Sequence, residues 1–448
     1  MHDSLDTNEG HDVIVVGGGI AGLSAALAAT RSGARALVLD AHGLGGRART
    51  TEHGGFLHNT GPHALYRRGH LCALLDRHGI AVSGGRPDDT HLRLLRDGKL
   101  TPLTMGATDI MRTPLLGRRD RVRLLALLAS LQRQQPESLV GRSVDEWLGD
   151  HPPAVRQFAD MLVRVSTYTN APALFDAGAA LAQIQVALAG GVEYLDGGWG
   201  SMVGAMVQTV RGRGGEVVGG ATVTSIVPGD RDDVEVRLGD ITLRARAVVV
   251  AAGGPAVVER LTGVRPPGSD GLTPPVQAAT LDLALRRPHP GLVFGLDRPL
   301  YLSPHAPTAR LAPVGGGLVS VMQYVPATTA PTTPSSPAPS SPAPSSDPPG
   351  RDADRHELRA LARLAGIDDG DVVHERYSHR LMVNHGSPSA AAGGLRGRPA
   401  IDSLGLEHVH LAGDWVGPVG LLADAAAASG EAAGTAAATS VRAREHAS

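Results

Sequence analysis

Cysteine, lysine and aromatic residues are all scarce in this chain. One cysteine, Cys72, stands among 448 residues, so no disulfide framework can form, which fits a reducing cytoplasm. Lys99 is the only lysine. Aromatic residues make up 3% of the chain, so its cores must be built mainly from Ala, Leu and Val. No apolar run reaches the ~18 residues that a membrane span needs. No cationic segment followed by an apolar core opens the chain, so no signal peptide is expected. A formal net charge of −2 offers no electrostatic reason to expect nucleic acid. The histidines lack the HxxxH or Cys/His spacing of a metal centre, and none is expected. Positive charge clusters once, at Arg118, Arg119, Arg121 and Arg123, ahead of Leu124–Leu128. An amphipathic helix there allows at most a peripheral membrane contact. A core-packed helix with a charged first turn is the simpler reading.

Glycine-built motifs are what the chain has in quantity. The apolar run Val13–Val16 reads as a strand, and Gly17-Gly18-Gly19-Ile20-Ala21-Gly22 as the turn into a helix rich in Ala and Leu. Gly17 permits the tight turn, Gly19 lets a pyrophosphate approach the backbone, and Gly22 lets helix and strand pack closely. The helix, running from Leu23 to about Ser32 after a turn that includes Ala21, offers free N–H groups and a positive dipole end to phosphate. A second strand, Ala36–Leu39, ends in Asp40, placed to accept ribose hydroxyls and to repel a 2′-phosphate. These features predict an α/β fold with a Rossmann-like dinucleotide site.

Gly45-Gly46-Arg47-Ala48-Arg49-Thr50 follows the acidic strand end at once. This Gly-Gly-Arg-x-x-Thr segment resembles the superfamily of flavin-containing amine oxidases, phytoene desaturases and protoporphyrinogen oxidases. The resemblance extends over about 400 residues, through Gly61-Pro62-His63, Gly197–Met202, Val217–Val227, Val248–Gly254 and His410–Asp414. It implies non-covalent FAD, with Gly46 and Arg47 at the pyrophosphate and Asp414 at the ribityl or phosphate part. By the same resemblance Gly61, Pro62 and His63 pass beside the flavin ring, Val223 contacts adenine through its backbone, and Gly413 precedes Asp414 in the last FAD motif. Arginine suits a pyrophosphate because its planar fork pairs with phosphate oxygens.

The implied organisation is a discontinuous FAD domain (9–80, 195–262 and 396–443) and a second, α+β substrate domain (81–194 and 263–395). Residues 326–350 repeat Pro, Ser, Thr and Ala and read as a disordered surface insertion.

In the superfamily a hydride passes from a substrate carbon to flavin N5, leaving C=C or C=N. The final helix, starting near Asp424, would aim its N-terminus at flavin N1 and O2, with Leu421, Leu422 and Ala423 against the pyrimidine side. Asp424 reads as the N-cap of that helix. Two departures bear on substrate. The amine oxidases use a lysine near N5, whereas Lys99 falls in a hairpin elsewhere. They also flank the amine with aromatic rings, one at the position of Leu422, which cannot supply that wall. Both favour a phytoene-desaturase-like enzyme acting on a largely apolar small molecule, an isoprenoid being one candidate. An amine oxidase with other residues, a redox-neutral isomerase and a non-catalytic flavin-binding partner remain alternatives. His63 is the candidate base. His58, Asn59, Tyr168 and Arg164 are weaker candidates. Without a second nucleotide fingerprint, the electron acceptor would be oxygen, a quinone or an unidentified molecule.

Overall fold

The computed structural model describes residues 10–103, 106–229, 233–327 and 350–445. The segment read as an insertion therefore lies almost wholly outside the described residues.

Two seven-stranded sheets organise the chain. The first has the order β10 (Glu216–Gly219), β2 (Ala36–Asp40), β1 (His11–Val16), β13 (Ile241–Val250), β12 (Val234–Leu238) and β11 (Ser225–Pro228). The short strand β19 (Val409–Leu411) pairs with β13 as well. β10, β2, β1, β13 and β19 run parallel, while β12 and β11 return antiparallel. Val13, Ile14 and Val15 are fully buried, as expected of a parallel strand covered on both faces.

On one face of this sheet lie α1 (Ile20–Arg31), α8 (Trp199–Gly212) and α11 (Leu422–Glu445). The sheet's other face packs against α9 (Pro255–Thr262). α1 and α11 approach at backbone distance. A Cβ on Gly430 would stand 2.1 Å from the Ala21 carbonyl oxygen, and one on Gly434 would stand 2.1 Å from that of Ala25. The Ala/Gly composition of α11 is thus a packing requirement as well as a helix preference.

The second sheet has the order β18 (Val372–Asn384), β14 (Val276–Leu285), β17 (Gly317–Tyr324), β16 (Leu300–Ala306), β15 (Val293–Gly295), β7 (Arg93–Arg96) and β8 (Lys99–Pro102). All its pairings are antiparallel except that of β15 with β7. α10 (Arg351–Ala365) buries Leu358, Leu361 and Ala362 against it. A helical body made of α3 (Ala107–Arg112), α4 (Arg118–Leu131), α5 (Val144–Leu148), α6 (Pro153–Thr167) and α7 (Ala177–Gly190) shares a further core. Ser143 and Glu146 close a capping box on α5.

Two smaller units connect the halves. They are the hairpin of β3 (Thr50–His53) and β4 (Phe56–Asn59), and the set β5 (Leu65–Tyr66), β9 (Val192–Leu195) and β6 (Gly84–Gly85). The last helix to introduce, α2 (His70–Arg77), packs on α11. Among the described residues no helix is long and apolar enough to cross a membrane.

Candidate active site

The turn between β1 and α1 carries the sharpest steric demands. Gly17 has φ +114°, and a Cβ there would lie 2.5 Å from the Ala251 carbonyl oxygen. A Cβ on Gly22 would lie 1.8 Å from the Gly17 carbonyl oxygen. Gly19 is the opposite case: a Cβ there would meet no atom within 4 Å. It is the N-cap of α1, without a side-chain cap, and no acidic residue lies in the first turn. The first-turn N–H groups of α1 therefore stand without a side-chain cap at the positive end of the helix. That is a site for an anion held by backbone.

Asp40 lies at the end of β2, where Oδ2 accepts from the Gly18 N–H (2.7 Å) and Oδ1 from the His42 N–H (2.8 Å). Each oxygen keeps a further lone pair. The Gly45 N–H donates to the Gly18 carbonyl (2.8 Å), which sets the Gly45–Arg47 turn beside the glycine turn.

Arg47 and Asp414 meet at 2.7 Å, although 367 residues separate them. Arg47 also donates to the Val383 carbonyl (2.5 Å). His385 completes the cluster, with Nδ1 3.1 Å from Asp414 Oδ1 and its backbone N–H donating to Oδ2 (3.2 Å). Burial alone would raise the Asp414 pKa. The Arg47 charge and the His385 hydrogen bond reverse this and hold the carboxyl well below the usual carboxylate range. Gly413 is fixed by Ser429 of α11, which accepts from its N–H (3.0 Å).

Arg398 is buried, and its guanidinium donates to the carbonyls of Asp414, Val419 and Gly420. Burial pushes its pKa down to about 10. It holds the turn that leads into α11. Neither His385 nor Arg398 was singled out from sequence, because nothing near either residue marks it. They stand 25 and 12 residues ahead of the His410–Asp414 motif, too far for a local pattern to point to them.

α11 begins at Leu422, two residues earlier than the sequence suggested, and Leu422 itself has φ +55°. Asp424 is consequently not the N-cap of α11. Its Oδ1 accepts from the Leu71 N–H (2.9 Å) at the start of α2, and its carboxylate fills the place a Cβ on Gly69 would take. It caps another helix across 353 residues. Burial raises its pKa to about 6. Leu421 is buried in the core of the helical body with Leu422 against it, while Ala423 packs on the core of the first sheet. Val223 lies between β10 and β11, nine-tenths buried.

Gly61-Pro62-His63 rests on the second sheet, where a Cβ on Gly61 would lie 2.9 Å from Leu381 Cδ2 and 3.4 Å from Thr280 Cγ2. His63 Nδ1 is 3.1 Å from the Gly61 carbonyl. Since a carbonyl only accepts, Nδ1 carries the proton and Nε2 keeps its lone pair. The ring meets Trp199 edge-on at 4.8 Å. Burial lowers the His63 pKa and keeps the imidazole neutral. The buried Trp199 Nε1 and Thr280 Oγ1 have no hydrogen-bond partner.

Five of the six tyrosines gather next to this segment. Tyr168 lies 6.1 Å from Tyr324, and Tyr301 lies 6.4 Å from Tyr324 and 5.6 Å from Phe294 (ring centroids). The Tyr194 hydroxyl is 3.5 Å from that of Tyr301, and its ring covers His305. Tyr66 donates to the Ser166 carbonyl (2.7 Å). Val383, which receives Arg47, packs on the same cluster. Tyr168 ends α6 at φ +58°, a conformation that costs a non-glycine residue about 1 kcal/mol. Burial raises the phenol pKa values, so the hydroxyls stay protonated.

The weaker candidates separate clearly. Arg164 is committed to the carbonyls of Gly295 and Leu296. Asn59 accepts from Thr50 and from the Trp199 N–H, a structural role. His58 stacks edge-on against His374 in the hairpin region. Lys99 is exposed on the β7–β8 hairpin.

A model of the family described as flavin containing amine oxidoreductase matches residues 20–437. No curated protein matches. Among solved structures, an oxidoreductase from Methanosarcina mazei is similar at 18% identity, with a TM-score of 0.73 over 94% of this chain and 99% of that one. Cyclohexylamine oxidase from Brevibacterium oxydans is similar at 17% identity, with a TM-score of 0.70 over 97% and 100%. Putrescine oxidase bound to putrescine gives 16%, 0.70, 96% and 99%.

Proposed function

The chain belongs to the flavin-containing amine oxidoreductase family and is an FAD-dependent oxidoreductase, and from that premise we propose that it dehydrogenates or desaturates a largely apolar small molecule, an isoprenoid among the candidates. FAD held here would supply a hydride acceptor at N5, so that the substrate would leave with a new double bond.

The residues fit such a cofactor. The uncapped N-terminus of α1 at Gly19 and Ala21 would hold the pyrophosphate, with Gly17 and Gly22 fixing the turn and Gly46 the neighbouring loop. Asp40 would take the ribose through its remaining lone pairs. Arg47 would pair with phosphate while Asp414, aligned by His385 and Gly413, accepts from the ribityl side. Val223 would receive adenine. Gly61, Pro62, Leu421, Leu422 and Ala423 would border the ring. His63 Nε2 would orient substrate or accept the proton that leaves the carbon next to the hydride donor. That proton and the hydride together account for the two hydrogens lost.

The apolar reading is carried by the composition of the wall. Ala278, Tyr301, Met322 and Tyr324 pack as one buried hydrophobic cluster, with Tyr168, Phe294 and Val383 against it. A specific observation also favours an amine: Tyr168, Tyr301 and Tyr324 gather with their rings tilted on one another, and aromatic faces attract cations. Anaerobic mixing of the yellow enzyme with lipophilic alkenes and, separately, with amines decides between them. Bleaching by an alkene is the expected result, and bleaching by amines alone would replace it with the amine reading. A flavin that no substrate reduces would leave a binding protein without turnover.

A further inference from the structure

A different surface, remote in sequence from the glycine turn, has its own chemistry. Between residues 107 and 133 stand six arginines against two aspartates, in a chain with a net charge of −2. Arg121 is internal to the fold there, donating to the carbonyls of Leu116 (3.0 Å) and Met111 (2.9 Å) and so fixing α3 beside α4. Arg112, Arg118, Arg119 and Arg133 are exposed and form no ion pair among the described residues, while Arg123 has only a long contact with Asp120 (3.4 Å). Many surface arginines elsewhere do have a carboxylate, as Arg355 has Glu375 and Arg287 has Asp371.

The middle of this face is aliphatic. Arg119, Val122, Ala126 and Ala129 recur at spacings of three and four on α4, with Arg133 just past its end, and all five are exposed. Val122 is 58% exposed, and Met111 on α3 is 44% exposed. A groove of about 930 Å³ runs along the helix beside Trp147, lined by Arg123, Arg133 and His151 and by one carboxylate, Asp150. The opposite side of α4 buries Leu124, Leu127 and Leu131 in the core that also holds Leu421.

We propose that the α3–α4 face docks on an anionic lipid bilayer, with Met111 and Val122 entering the acyl boundary and the unpaired arginines meeting headgroup phosphates. Bulky aliphatic side chains ringed by unpaired cations along a helix lying flat are the chemistry of an interfacial helix. A soluble polyanion needs the cations but has no use for the aliphatic centre. Docking there brings a lipid phase to the outer side of the core that holds Leu421. The surface is independent of the proposed substrate, and the test involves no turnover.

The experiment is flotation of the oxidised holoenzyme with phosphatidylcholine vesicles, with and without about one-third phosphatidylglycerol. Binding is expected to the anionic vesicles only, and to be lost at about 0.5 M salt. Arg118→Ser with Arg119→Ser should weaken it roughly 30-fold. Val122→Ser should weaken it about tenfold. All three positions are exposed, and retained flavin absorbance reports the fold of each variant. Absence of wild-type binding, or equal binding to neutral vesicles, overturns the proposal. So does binding that Val122→Ser leaves unchanged and heparin abolishes, because charge alone then suffices and the partner is a polyanion.

Discussion

The two seven-stranded sheets position functional atoms in opposite ways. The parallel sheet brings backbone to its site: glycine turns, a helix N-terminus, and one carboxylate at a strand end. The antiparallel sheet brings side chains, with tyrosines drawn from β16 and β17 and from the end of α6. A site made of backbone needs little tolerance for variation and appears as a short motif. A site made of side chains can be assembled from anywhere in the chain.

The sharpest way to break this contrast is at the glycines. Gly22→Ala places a Cβ 1.8 Å from a carbonyl oxygen and should cost about 3 kcal/mol or more, measured as loss of soluble yellow protein. Gly19→Ala places one in open space. Its apoprotein should melt within about 0.5 kcal/mol of wild type, yet retain FAD about tenfold less well. Equal effects at both positions would mean that Gly19 does not face the cofactor.

Next in size is Arg47→Ala, which strands a buried carboxylate and should destabilise by about 3 kcal/mol. The pH dependence has a definite sign. Asp414 is held below its ordinary value, so its contribution is present above that value and lost as pH falls through the folded one. Arg47→Ala should therefore move the acid-unfolding midpoint, followed by circular dichroism, to higher pH.

Asp424 behaves in the opposite sense. Its pKa is raised to about 6, so the stability it confers is present at low pH and fades as pH rises through about 6. Asp424→Asn should remove roughly 2 kcal/mol of pH dependence from thermal melts, while the amide oxygen still accepts from Leu71.

The smallest effects belong to the second sheet. Tyr168→Phe and Tyr324→Phe remove hydroxyls that make no hydrogen bond in the described protein. Melting should shift by less than about 0.5 kcal/mol. A tenfold fall in kcat/KM would show that hydroxyls rather than ring faces touch the substrate, and would turn the proposed substrate toward a polar one.

The sequence alone carried the first site well and the second poorly, for a physical reason. Gly17, Gly19, Gly22, Asp40 and Arg47 fall within about 30 residues, where local geometry dictates residue type. The pairing of Arg47 with Asp414 was foreseeable only through the resemblance of two separate motifs. Tyr66, Tyr168, Tyr194, Tyr301 and Tyr324 share no spacing, and their rarity in the chain was the one signal available. Leu422 lacks an aromatic ring, and the clustered tyrosines come from other elements. Asp424 read naturally as a cap of the helix that follows it. Its true partner lies at Leu71, and no local rule reaches that far.

The contact of α1 with α11 has a consequence for synthesis. The glycine turn is synthesised well before the strand β19 that extends its sheet and the helix that covers α1. A nascent polypeptide halted before residue 409 would expose the Ala21 and Ala25 ridge of its first helix to water and lack the Asp414 partner of Arg47. A product truncated before residue 409 is therefore expected to remain colourless however much of its amino-terminal half is intact.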